Sequence, residues 1–168
     1  MPSAGFEDGM DDIRTPAAIR TDEIYATLDD DYVPSGVFQE WYRVDAPAGG
    51  CKIHVSVAEK SVDALMVATF VLPELRRLRI RHKITRNFDE YRSLNRGDQR
   101  GKFITIYARS LVERDRVTTA VDPELQRYRQ ALGVRPGPQV IDRMTRLPET
   151  PLGTSGFLTW RMFGPGQE

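Results

Sequence analysis

The chain has two histidines, and each lies close to a lysine: Lys52-x-His54 and His82-Lys83. In an extended strand, residues two apart share a face, so Lys52 and His54 stand side by side. The apolar residues of that stretch fall on the opposite side, so the pair faces either solvent or a cleft. Taken on pattern alone, His54 is an ordinary surface histidine, whereas His82, between Ile80 and Ile84, is a half-buried structural one. Two histidines on separate strands, with no acidic partner at ligand spacing, do not make a metal site. The loop NRGDQRGK lacks the Gly-Lys-Ser/Thr ending of a phosphate-cradling loop. Thr154-Ser155-Gly156 lacks the pattern that flanks a nucleophilic serine. No pair of carboxylates suggests two-carboxylate acid–base chemistry. What remains is a cationic kit of lysines, arginines, one histidine and a tyrosine. Arginine forks match phosphate geometry. A lysine crowded by other cations and partly buried is a proton-abstracting base, because both influences favour its neutral amine.

Strict alternation from Cys51 to Val57 predicts a half-buried strand that carries Lys52 and His54. Ser61 is expected to cap a helix with an apolar stripe through Leu65, Met66, Thr69, Phe70 and Leu72, bent or interrupted at Pro73. Ile80 to Thr85 reads as a strand presenting Arg81, Lys83 and Thr85 on its polar face. Asn87 caps a short helix through Leu94, and residues 95–101 form a polar loop. In the strand Lys102 to Arg109, Ile104 and Ile106 share one face, and Phe103, Thr105, Tyr107 and Arg109 share the other. A helix from Pro123 ends at Gly133. Residues 134–156 hold four prolines and read as a connector, with a peptide-guiding cover as the alternative. In the last strand, Phe157 to Phe163, Thr159 and Arg161 lie opposite Leu158 and Trp160. Upstream, residues 1–20 read as a flexible acidic arm, Asp22 to Leu28 as one short helix, and residues 29–50 as irregular, with Gln39 to Tyr42 as a short ordered piece anchored by its aromatics. These elements predict a single α+β domain over residues 21–168, loop-rich, with a mixed, mainly antiparallel sheet flanked by a few helices.

The 168 residues suit one domain, and 24 Lys+Arg balance 24 Asp+Glu. The balance hides an asymmetry. Residues 1–31 hold nine acids against two bases, and residues 76–116 hold thirteen bases against five acids. The central block can gather anions. A nucleic-acid binder is nevertheless not favoured, because net charge is zero and few aromatics are interleaved with the bases. No apolar run reaches membrane-spanning length, and the polar start carries no secretory signal. One cysteine, Cys51, excludes an intrachain disulfide and points to the cytoplasm.

Four segments, in order, carry a family resemblance: GGCKIHVSV around Lys52, RIRHKIT around Lys83, RGDQRGKFITIY from Arg96 to Tyr107, and WRMFG from Trp160 to Gly164. Over about residues 40–164 the chain resembles the phosphothreonine lyases. It is most similar to the phospho-Ser/Thr lyase domain at the N-terminus of class III and class IV lanthipeptide synthetases. The resemblance implies β-elimination of phosphate from phosphoserine or phosphothreonine in a precursor peptide, giving dehydroalanine or dehydrobutyrine without a cofactor. It implies Lys83 as the base at Cα and His54 as the acid that protonates the departing phosphate. Lys52 would hold the phosphate or the enolate, and Tyr107 would share the site. Arg161 would bind substrate, and Arg109 occupies a family basic position. The phosphate arginine falls to Arg96 or Arg100, because the loop is one residue longer here; Arg96 is preferred because Gly97 follows it. His82 stands where an apolar or aromatic residue is more familiar, and would either tune Lys83 or pack. With no kinase or cyclase segment after Gly164, these partners would be separate proteins or missing domains.

The chemistry matches the residue pattern. Lys52, His54, Lys83, Tyr107, Arg109 and Arg161 all fall on the non-apolar sides of their strands. A Cα proton next to an amide is weakly acidic, so its removal needs a cation beside the enolate oxygen. Two other expectations stand beside the leading one: an effector-type lyase acting on a folded phosphoprotein, and a catalytically silent phosphopeptide- or leader-binding module. The silent module would have no need of Lys83, His54 and Tyr107.

Overall fold

The computed structural model describes Leu28 and residues 30–164. The expected acidic arm and all but the last residue of the expected helix from Asp22 to Leu28 lie outside the described residues. Seven strands form one open sheet: β1 (Tyr32–Ser35), β2 (Phe38–Trp41), β3 (Gly50–Val55), β4 (Arg81–Thr85), β5 (Ile104–Ala108), β6 (Thr150–Leu152) and β7 (Leu158–Phe163). Their order is β1-β2-β4-β5-β3-β7-β6, and every pairing is antiparallel. Three helices accompany them: α1 (Ser61–Arg77), α2 (Phe88–Leu94) and α3 (Leu111–Leu132). The result is a single α+β domain, as the sequence predicts.

One face of the sheet is the core. Ile53, Val55, Ile84, Ile104 and Ile106 are fully buried. They join Val67, Val71 and Leu75 of α1 and Val117, Val121 and Leu125 of α3 in one cluster. In α3 the three apolar residues recur every fourth position, which keeps one stripe against the sheet. His82 belongs to this face and not to the site: it is fully buried, not half-buried. Its ring stacks on Trp41 and bonds the Tyr32 hydroxyl at 2.6 Å and the Ile80 carbonyl at 2.8 Å.

Several expectations are corrected. The stretch expected to be irregular is so only over 42–49, since 32–41 form the β1–β2 hairpin across Gly36, which is left-handed at φ +62°. Pro34 suggested a loop, yet β1 is an edge strand, where a residue without an N–H is tolerated. Helix α3 begins twelve residues before Pro123. Ser110 caps it, accepting from the Glu113 amide, and burial of Val117, Val121 and Leu125 outweighs the one hydrogen bond that Pro123 removes. Helix α1 likewise continues through Pro73. Ser61 is its first residue, and the N-cap is Lys60, with no side-chain capping bond. Asn87 caps the start of α2 and Gly133 ends α3, as expected. Phe103 precedes the start of β5 and turns into the core against Tyr91, centroids 4.9 Å apart, instead of sharing the Tyr107 face.

Gly50 opens β3 at φ +141°, and a Cβ there would lie 2.3 Å from the Ala108 carbonyl oxygen. The strand that carries Lys52 and His54 depends on this close approach. Gly50→Ala is expected to cost about 2 kcal/mol or more and to lower Tm by roughly 5 °C in thermal unfolding. An unchanged Tm would contradict the described β3–β5 geometry.

Candidate functional site: a buried cationic cleft

The sheet's other face holds the polar residues in cross-strand rows. Residues directly opposite in an antiparallel pair project to the same side. One row runs Arg161–Lys52–Tyr107–Arg81, and the next runs Thr159–His54–Thr105–Lys83–Glu40. Three neighbouring strands therefore bring Lys52, His54, Lys83 and Tyr107 together at one cleft of about 260 Å³. Its rim adds Phe38 and Val37 from the hairpin, Leu94 and Gln99, and two further cations, Lys102 and Arg143.

Gly101, left-handed at φ +79°, packs so tightly against the Pro138 carbonyl that a Cβ would sit 2.5 Å from it. That turn delivers Lys102, which is buried. The 134–156 connector runs back over the sheet, pinned by an isolated bridge from Val57 to Pro136 and closed on itself by one from Ile141 to Pro148. Asp122 of α3 accepts from the amides of Thr154 and Ser155, which ties the connector's end to the core helix. The connector thus carries Arg143 to the cleft and Glu149 to His54.

His54 is buried, so the surface reading fails and the cleft reading holds. Its Nδ1 lies 2.8 Å from Glu149 Oε1, and Thr159 Oγ1 donates to the same oxygen at 2.9 Å. Burial alone would raise the Glu149 pKa, but the bonds from His54 and Thr159 and the charge of Lys102 outweigh it and hold the carboxyl below its ordinary range. An ionised carboxylate only accepts, so Nδ1 carries the proton and Nε2 is left as the unprotonated nitrogen. Burial, helped by Lys102 and Lys52 and opposed by Glu149, lowers His54 to about 4.

The lysines are perturbed in the same way. Burial first, then the charges of Arg161, Lys83 and Lys102, brings Lys52 down to about 7. Burial, with Arg143, Arg161 and Lys83, brings Lys102 to about 8, while Glu149 opposes it. Lys83 Nζ stands 4.2 Å from the Phe38 ring centroid and 5.8 Å from that of Tyr107. Lys52 Nζ is 5.6 Å from the Tyr107 ring and 5.5 Å from Phe163. Several cations thus crowd one cleft, and a dianion entering it would meet them at once.

Four of the eight expected site residues, Lys52, His54, Lys83 and Tyr107, meet in the cleft. Arg161 lies one strand away, its Nε 3.5 Å from Glu149 Oε2, where its charge acts on Lys52. Arg109 turns aside, bonded to Glu113 of α3 through its Nη2 at 2.6 Å. Arg96 and Arg100 are exposed and do not line the cleft; Arg96 donates instead to the Arg92 carbonyl. Sequence reasoning missed Lys102, Arg143, Phe38 and Glu149. Lys102 stood in a quoted block but out of phase with Thr105 and Tyr107, and Glu149 lies 95 positions from His54 with no spacing to connect them. Among the described residues, no group of three metal-ligating side chains occurs, and no helix is long and apolar enough to cross a membrane.

Compared with known proteins, the sequence matches no family model and no curated protein.

The His54 ring should be neutral at pH 7 in the free protein. Its folded pKa lies below the unfolded one, so the unfolded chain binds the extra proton first as pH falls. The stability this group contributes is complete above about pH 6.5 and is lost as pH falls toward about 4. NMR titration should show His54 ring shifts flat from pH 8 to pH 6. A midpoint near 6.5 would contradict its burial against Glu149.

Proposed function

We propose that this chain is a phosphoserine/phosphothreonine lyase that eliminates phosphate from a phosphorylated precursor peptide, as in lanthipeptide-type biosynthesis. The observation that carries the reading is the convergence of Lys83, His54, Lys52 and Tyr107 from three strands on one partly buried cationic cleft. The four segments shared with the lyase domains of class III and class IV lanthipeptide synthetases supply the reaction. No cofactor is part of it. The peptide would come from a kinase and pass to a cyclase, as separate proteins or further domains. We place the reaction in the cytoplasm, where the single thiol, Cys51, stays reduced.

In this mechanism the phosphate dianion enters among Lys52, Lys102 and Arg143. Lys83 Nζ takes the Cα proton. The electron pair of that bond forms the Cα=Cβ double bond, and the Cβ–O bond breaks toward phosphate. His54 gives the leaving oxygen a proton from Nε2, which the free protein leaves unprotonated and the dianion causes to be loaded. Glu149 holds the other ring nitrogen and balances the imidazolium while it exists. Lys52 and the Tyr107 hydroxyl stand where charge develops on the peptide oxygen.

Lys83→Ala should lower elimination by about a thousandfold while phosphopeptide binding remains measurable. Peptide mass after incubation in a metal chelator reads the first, and fluorescence anisotropy the second. Retained turnover would remove Lys83 from the base role. Because Lys52 titrates near 7 and a dianion raises that value, phosphopeptide binding at pH 7.5 should take up protons. Calorimetry in two buffers of different ionisation enthalpy measures this, and equal heats in both would contradict the assigned charges.

A further inference from the structure

Between Val140 and Glu149 the connector doubles back on itself beside the cleft. The Glu149 amide donates to the Val140 carbonyl at 2.9 Å, and the Asp142 amide to the Leu147 carbonyl at 2.8 Å. The Arg146 amide donates back to the Asp142 carbonyl at 2.7 Å, and the bridge from Ile141 to Pro148 closes the same turn. Asp142 Oδ1 also accepts from the Met144 amide, and Thr145 Oγ1 from the Leu147 amide. The base of this turn is fixed on both sides. Val140 is fully buried, and Glu149 is buried against His54. Just before Val140, the Pro138 carbonyl accepts from the Ser56 hydroxyl at 2.6 Å.

The tip of the turn is chemically out of place. Surface turns are built from small and polar residues. This one holds Met144 and Leu147, which are 71% and 63% exposed. Among the described residues, they are two of the three most exposed large apolar side chains. One such side chain on a surface needs no explanation. Two within four residues of one turn are different, because the turn adjoins the cleft: Arg143, beside Met144, is part of the cleft wall. The backbone bonds and the left-handed Arg146, at φ +64°, shape the turn. Met144 and Leu147 add little packing to it, so their contact with water has no return within the molecule.

The place of the turn fixes what it would contact. A phosphate held by Arg143 has Met144 within about 10 Å, which is about three residues of extended peptide. A peptide with its phosphorylated residue in the cleft has to leave the cleft past some part of its rim, and on the connector's side that rim is this turn. We propose that the turn is a recognition tip, and that Met144 and Leu147 take an apolar side chain of the substrate peptide about two to four residues from the phosphorylated one. Because the base is anchored at Val140 and Glu149, the distance from cleft to tip is set by the fold. The preference therefore belongs to particular positions and not to the peptide's overall hydrophobicity. The inference rests on the lyase reading for the identity of the peptide.

The test uses the full chain carrying Lys83→Ala, so that the peptide persists, with and without Met144→Ser and Leu147→Ser together. Both side chains are exposed, so the substituted chain should keep its Tm. Labelled phosphoserine peptides carry leucine or asparagine at one position, two, three or four residues to either side, and anisotropy gives their affinities. With Met144 and Leu147 present, leucine should bind about tenfold tighter than asparagine at a favoured position. The paired substitution should bring that ratio to within about twofold of unity. A capped phosphoserine without neighbours should bind both chains alike. No leucine preference, a preference that survives the substitutions, or an equal loss for capped phosphoserine overturns the recognition tip. Peptide mass with the unsubstituted chain is followed in parallel. Elimination without a leucine preference overturns the tip alone, and a tip-dependent preference without elimination overturns the lyase reading alone. Binding of none of the peptides overturns both.

Discussion

The desolvation of two lysines, Lys52 and Lys102, and of His54 at one cleft governs this structure. Charged amines resist burial, and the cleft meets that resistance in two ways. Glu149 supplies a buried carboxylate to His54, within reach of Arg161, and aromatic faces of Phe38, Tyr107 and Phe163 lie against Lys83 and Lys52. Neither fully compensates, and Lys52, Lys102 and His54 all titrate below their ordinary values. Their perturbed titration is the mark of positive charge crowded where little water reaches it.

The fold makes this arrangement possible because its two sheet faces have opposite duties. Core packing of Ile53, Ile84, Ile104 and Ile106 against α1 and α3 fixes strand register. A slip of one residue would drive the isoleucines out and the lysines in. Register then sets the rows that align Lys52 with Tyr107 and His54 with Thr105. The site is thus as rigid as the core beneath it, although the 134–156 connector completes it from above.

Much of this was legible in sequence. Alternation in residues 51–57 and 102–109 assigned Lys52, His54 and Tyr107 to polar faces, and the Ile80–Thr85 pattern separated His82 from Lys83. What the sequence could not show was contact across distance. Nothing near Glu149 links it to His54, and the surface reading of His54 failed for that reason: a carboxylate from a proline-rich loop covers it. Pro34 and Gly36 read as loop markers, yet one sits on an edge strand and the other in its hairpin turn. Pro123 read as a helix start because local propensity favours it there, whereas burial along α3 carries the helix through it. Arg96 and Arg100, expected to hold phosphate, are exposed and outside the cleft lining, because their loop turns away from it. Lys102 and Arg143 bring the additional positive charge to the cleft.

The central claim concerns which bond breaks, and one measurement addresses it. The chain is incubated with a phosphoserine peptide in water enriched in the heavy oxygen isotope, and both products are weighed. Elimination cleaves Cβ–O, so the released phosphate should carry no heavy oxygen, and the peptide should lose the elements of phosphoric acid and then add a thiol. A phosphate that carries one heavy oxygen, with the serine hydroxyl restored, would mean attack at phosphorus and would contradict the account.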